Sequence, residues 1–199
     1  MKQFWHDTKI VLKTLMVLFI AGFVAFGLYT YDMQKSEAIT WEEPTPKPDF
    51  DHTTHQQFID NIRQCVNHIY DTTSDIEPVN LELLVAQAAL ESAWGTSRFS
   101  QEGNNYFGIR TYDLREPHML PSNNPKKWGV KVYKHGCDSV QHYIDILNNG
   151  TAFEKYRELK ASGENDPFKL LETLDAYAAD QNYFAKVKRI ISKVRTEYN

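Results

Sequence analysis

The 199-residue chain has only two cysteines, too few for a disulfide scaffold or a four-thiolate zinc site. Its nine glycines and eight prolines exclude a collagenous or low-complexity polymer. An excess of basic charge is also missing. The formal net charge is −4, so no nucleic-acid partner is expected, because such partners call for a basic face. There is no phosphate loop and no serine nucleophile elbow. His135, Cys137 and His142 lack a fourth ligand at a zinc-site spacing, so neither a metal nor a cofactor is expected. What remains is a chain 42% hydrophobic and 13% aromatic, able to build a core. Its mean hydropathy of −0.52 averages over a very uneven distribution.

The unevenness lies at the N-terminus. Thr14 to Tyr31 reads TLMVLFIAGFVAFGLYTY, 18 residues without a charge. At ~1.5 Å of rise per residue that nearly spans a ~30 Å hydrocarbon core, and a helix begun at Ile10 spans it fully. Lys2, Lys9 and Lys13 precede the run against a single Asp7, whereas Asp32, Lys35, Glu37, Glu42 and Glu43 follow it. The positive-inside rule puts the N-terminus in the cytoplasm and everything after Asp32 outside. A signal peptide has a shorter apolar core and a small-x-small ending, unlike Leu28-Tyr29-Thr30-Tyr31. Residues 1–31 are therefore expected to be a cytoplasmic tip and one uncleaved transmembrane helix. Without them the chain carries 19 basic and 25 acidic side chains, a net of −6. Outside the cytoplasm Cys65 and Cys137 could pair, or they could be two unrelated small apolar residues.

Residues 32–53, with three prolines in WEEPTPKPDFDHTT, read as a semi-rigid acidic spacer. Residues 54–199 are long enough for one core, and the helical period dominates there. Phe58, Ile59, Ile62, Val66, Ile69 and Tyr70 make a first amphipathic helix. Asn80 caps a second, Leu81 to Trp94, which Gly95 stops. Residues 108–113 and 129–134 suggest a small hairpin separated by the polar segment 114–128. Further helices are expected over 139–149, 151–161, from Asp166-Pro167 through Tyr177, and over 181–198. The fold class is α+β, mostly helical, with a small β-hairpin lobe.

Glu91 breaks the apolar pattern of the second helix. Leu84, Gln87, Glu91 and Trp94 share one face at three- and four-residue spacing, which sets a carboxyl among apolar neighbours. Burial raises a carboxyl pKa, and a raised carboxyl is what a general acid requires. A glutamate at a helix end can also be plainly exposed, or paired with Arg98. Beyond it, Asn104-Asn105-Tyr106-Phe107-Gly108 offers amides beside ring faces, the pairing that sugar hydroxyls and pyranose faces need. Core packing is the alternative for the two rings.

The segments ALESAWGTSRF and NNYFGIR closely resemble the glucosaminidase domain of bacterial wall hydrolases. The ending YAADQNYFAKVKRII is similar to that family's late tyrosine motif, and CDSVQHYIDILNN to a helix of its Bax-like branch. The resemblance covers most of residues 55–199. It implies a lysozyme-like fold and an endo-β-N-acetylglucosaminidase that cuts the β-1,4 bond between N-acetylglucosamine and N-acetylmuramic acid in peptidoglycan. Carried over, it makes Glu91 the general acid and Tyr177 the late tyrosine of the cleft. Trp94, Asn105, Tyr106, Phe107 and Gly108 become its substrate-binding lining. A second carboxylate comes from the β-lobe, where Glu116 is preferred narrowly over Asp113, and the substrate's own acetamide is the alternative nucleophile. A lytic transglycosylase of the same fold and a silent wall-binding module are the competing readings.

Overall fold

The computed structural model describes residues 46–48, 50–122, 127–174 and 182–197, all within the compact unit Thr45–Asn199. The expected membrane anchor, most of the spacer and Tyr177 lie outside the described residues. Among the described residues, no helix is long and apolar enough to cross a membrane.

Helix α1, His55–Thr72, starts on a capping box: the Thr54 hydroxyl accepts the Gln57 N–H at 3.2 Å, and the Gln57 side chain accepts the Thr54 N–H. It buries Phe58, Ile59, Asn61, Ile62, Cys65, Val66 and Ile69; of the stripe read from the sequence, Tyr70 alone is only half-buried. Helix α2, Leu81–Ser92, is capped by Asn80 and buried without interruption from Leu83 to Ala89. A helix apolar all round belongs inside a fold. Accordingly α2 is the central rod, packed most extensively on α7, Tyr183–Glu197.

The end of α2 differs from expectation. The helix stops at Ser92, and Ala93, Trp94 and Gly95 then take φ of 50°, 58° and 75°. Two non-glycine residues in the left-handed region cost roughly 1–2 kcal/mol each, so the surroundings must enforce them. The Ser92 hydroxyl donates to Ala88 O and accepts the Gly95 N–H. The Trp94 N–H reaches back to Ala89 O at 2.8 Å. Gly95 is required, since a Cβ there would stand 2.4 Å from the His52 ring.

A short helix absent from the sequence reading follows, α3 over Arg98–Gly103, capped by Ser97. The β-lobe has three strands, not two: β1 (Arg110–Thr111), β2 (His118–Met119) and β3 (Gly129–Lys131), antiparallel in the order β1-β3-β2. The extra strand comes from the segment read as a separator, because two residues are too few to show a period of two. Helix α4, Gly136–Asn149, begins on His135, whose Nδ1 accepts the Cys137 N–H. The single helix expected over 151–161 is a 3-10 turn, Thr151–Phe153, followed by α5, Glu154–Ala161. Helix α6 spans only Pro167–Leu171, opened by Asp166 and Pro167 as expected.

Two features close the unit. Cys65 and Cys137 form a disulfide with Cα atoms 5.1 Å apart, tying α1 to the first turn of α4. The packed domain also begins before residue 54. Phe50 is buried against Tyr106 at a ring separation of 4.2 Å, and His52 bridges the carbonyls of Phe50 and Trp94. Residues 50–53 therefore belong to the domain, not the spacer.

Candidate active site

Glu91 sits in the last turn of α2, open to solvent on one side. The protein mass beneath its carboxyl desolvates the charged form, and this burial holds its pKa above the ordinary glutamate value. One turn earlier, Gln87 is fully buried and links two tyrosines. The Tyr143 hydroxyl donates to Gln87 Oε1 at 2.7 Å, and Gln87 Nε2 donates to the Tyr183 hydroxyl at 3.0 Å. With its oxygen so occupied, Tyr183 turns its own proton to the Glu91 carboxyl, an interaction that favours the ionised form and partly offsets the burial. Burial also raises the Tyr183 hydroxyl, which keeps it a donor. Every bond in this row points the same way, so each polarises the next.

The asparagine–aromatic segment holds the floor of this site from behind. Asn105 is buried and fully used: Oδ1 accepts the N–H groups of Phe107 and Ile109, and Nδ2 donates to Ile109 O and Lys131 O. The rings expected to face sugar are interior. Phe107 stacks on Tyr143 at 4.2 Å and 7°, and Tyr106 packs on Phe50. Core packing, the alternative noted above, describes both rings. Gly108 is exposed with φ +64°, and a Cβ on it would lie 3.7 Å from Glu91 Oε2. Glycine thus leaves the carboxyl open to an incoming group. Trp94 is half-buried, stacked on His55 at 3.9 Å. Of the expected binding set, only Trp94 and Gly108 reach the surface, and Gly108 is the one placed against the Glu91 carboxyl.

The β-lobe carboxylates have the opposite electrostatics. Glu116 Oε2 accepts the Thr111 hydroxyl at 2.9 Å and pairs with Lys131 Nζ at 3.2 Å, and these contacts hold its pKa below the ordinary value. Both oxygens of Asp113 are taken by Arg115, at 2.8 and 2.6 Å, which lowers its pKa too. Arg98 does not pair with Glu91; it meets Glu102 and the Leu120 carbonyl. Of the residues once weighed as metal ligands, His135 caps α4, Cys137 is in the disulfide, and His142 Nδ1 meets the Tyr133 hydroxyl at 2.7 Å.

A hollow of ≈ 520 Å³ lined by Glu77, Pro78, Asn148, Tyr156, Arg157 and Lys160 lies beside the other end of α2. Chemistry, not volume, marks the site at Glu91. Sequence reading missed Tyr183 as part of that site, although it lies inside the quoted motif YAADQNYFAKVKRII. That motif has two tyrosines, and only packing α7 on α2 reveals that Tyr183 reaches Glu91.

Comparison with known proteins agrees with this geometry. The glucosaminidase family model, described as mannosyl-glycoprotein endo-beta-N-acetylglucosaminidase, matches residues 67–196. Exo-glucosaminidase LytG of Bacillus subtilis is 25% identical over 91% of this chain and 64% of its own length. Protein bax of Escherichia coli is 32% identical over 44% of this chain and 30% of its own. The chain thus spans less than two thirds of the curated relatives it matches. The catalytic domain of the autolysin Auto from Listeria monocytogenes shares the fold, with a TM-score of 0.54 and 23% identity over 84% of this chain and 97% of that one. Glu91, the Asn105–Gly108 floor and Tyr183 all fall inside the matched range, and the chain belongs to the glucosaminidase family.

Proposed function

We propose that this protein is a glycoside hydrolase of lysozyme-like fold that cleaves peptidoglycan as an endo-β-N-acetylglucosaminidase, with Glu91 as general acid. The observation that carries this reading is the opposed tuning of two carboxyls: Glu91 raised by burial, Glu116 lowered by Thr111 and Lys131. Pairs of titratable groups pushed apart in this way divide the roles of acid and base. Glu91 protonates the leaving glycosidic oxygen. Glu116, whose Oε2 holds both of its contacts, has Oε1 to present to water, whereas Asp113 is engaged at both oxygens. Tyr183 orients the Glu91 carboxyl and tunes its proton affinity. Tyr177 is retained as a cleft tyrosine on the family resemblance. The segment 14–31 anchors the enzyme in a bacterial inner membrane, N-terminus inside, with the catalytic domain facing the wall.

Mass spectrometry of wall digests tests the reaction. A reducing N-acetylglucosamine end is expected. An anhydro-muramic end would instead mean a lytic transglycosylase, and no new ends a silent binding module. Fragments released from chain interiors rather than one sugar at a time distinguish endo from exo cleavage.

A further inference from the structure

The outer face of β1 carries groups that the acid and base leave unused. Exposure alternates along it: Gly108, Arg110 and Tyr112 are exposed, while Ile109 and Thr111 are buried. Gly108 faces the Glu91 carboxyl, so this row starts at the candidate acid and runs outward.

Arg110, like Arg98 and Arg195, lies over an aromatic ring, but unlike those two it has no carboxylate partner among the described residues. Its guanidinium carbon lies 4.0 Å from the centroid of the Trp128 ring. Among the described residues it pairs with no carboxylate, whereas Arg63, Arg98, Arg115 and Arg195 are each turned onto one. Stacking fixes the plane of the fork and leaves its in-plane N–H donors for a bidentate acceptor. Residues 32–199 carry a net charge of −6, so a flat, exposed and unpaired guanidinium stands out as a receptor for an anion from outside. Tyr112, 72% exposed, adds a free ring at the end of the row. An aromatic ring suits the apolar face of a pyranose, and a guanidinium fork suits a carboxylate.

Resting on the peptidoglycan reading above, we infer that Arg110, braced by Trp128, reads the carboxylate carried by the muramyl residue, while Tyr112 stacks on a sugar ring. The carboxylate has two sources: the lactyl group where the peptide has been removed, or the stem peptide where it is attached. Plain N-acetylglucosamine polymers have neither. The strip therefore makes the enzyme selective for the muramyl-containing strand, a task separate from bond cleavage.

The test uses the full chain with Glu91→Gln, so that ligands survive, and measures binding by calorimetry. Three soluble oligosaccharides of equal sugar number are compared: a chitooligosaccharide, a peptide-free N-acetylglucosamine–muramic acid oligomer, and its peptide-bearing form. Adding Arg110→Gln is expected to weaken at least one muramyl ligand about tenfold and to leave the chitooligosaccharide within about twofold. The muramyl ligand that loses affinity identifies the source of the carboxylate. Arg110→Lys, which keeps the charge but not the fork, recovers only part of the loss. Tyr112→Ala weakens all three ligands alike. Equal loss across the three on Arg110→Gln, or no loss on either muramyl ligand, overturns the inference. So does a Glu91→Gln protein that binds none of them. Wall digestion by the parent, scored separately, then tells whether the proposed activity falls as well.

Discussion

Glu91 and Glu116 carry the same functional group, yet the two halves of the domain treat them oppositely. The helical half backs Glu91 with a neutral row, Tyr143 to Gln87 to Tyr183, whose last member meets the carboxyl, and among the described residues no cation is paired with it. The β-lobe gives Glu116 a lysine and a hydroxyl in the open. Protein mass packed on one side with no cation beside it favours the protonated form, whereas a cation and a hydroxyl donor favour the ionised one. Architecture follows the same division: long buried helices can desolvate a group, and strands of two or three residues cannot. The helical half therefore holds the raised carboxyl and the lobe the lowered one.

The largest effect should come from Glu91→Gln. Loss of a general acid typically costs ~10²–10⁴ in rate, and turnover of purified wall should fall by that much. Stability should move the other way. Because the folded pKa of Glu91 is raised, its favourable contribution is full at low pH and lost as pH rises through that pKa. Glutamine does not titrate, so the variant should melt above the parent at neutral pH and the gap should close toward pH 4. Equal melting temperatures at both pH values would contradict the desolvated setting of Glu91.

The disulfide sits wholly in the helical half. Replacing both Cys65 and Cys137 by serine frees a crosslink between residues 72 apart, worth ~4 kcal/mol by chain-entropy arguments. Denaturant titration should register that loss, while the pH dependence of the remaining activity stays in place. A shifted profile would mean that the crosslink also shapes the acid site.

Glu116→Gln should cost less than Glu91→Gln, about 10²-fold, at the low end for acid–base catalysis. Its distinctive mark is on the pH profile. The acid limb of kcat/KM reports ionisation of Glu116, below the ordinary glutamate range, and the alkaline limb reports loss of the Glu91 proton, above it. The variant should lose the acid limb and keep the alkaline one. If Asp113→Asn does this instead, the base has been assigned to the wrong carboxylate.

The smallest change is Tyr183→Phe. The hydroxyl favours the ionised form of Glu91, so removing it raises the Glu91 pKa further. The alkaline limb should move to higher pH, with a loss of about tenfold or less in kcat/KM, since the acid itself remains. An unmoved limb would separate Tyr183 from Glu91.

Much of the helical half was legible because its signals repeat. The α1 stripe, the Asn80 cap and the Asp166-Pro167 opening each follow from one segment and its own period or cap. Glu91 stood out as a polar interruption of an apolar helix. The β-lobe was legible only in outline, since His118–Met119 is too short to show alternation. Tyr106 and Phe107 admit a cleft or a core placement from the sequence, and both face inward. A pair of aromatics beside amides has the same composition in a cleft as in a core, and only neighbours such as Phe50 and Tyr143 decide which it is.

The sequence by itself determined the helical framework and the family, and singled out Glu91 as the candidate acid, because periodicity, caps and motif spacing are properties of contiguous residues. Tertiary structure alone decided that Cys65 meets Cys137, that Ala93 and Trp94 accept left-handed backbone beside the acid, and that Tyr183 rather than an adjacent residue reaches Glu91. Each of these joins or constrains segments distant in the chain, and the pKa of Glu91 depends on the sum of what they bury and what they donate.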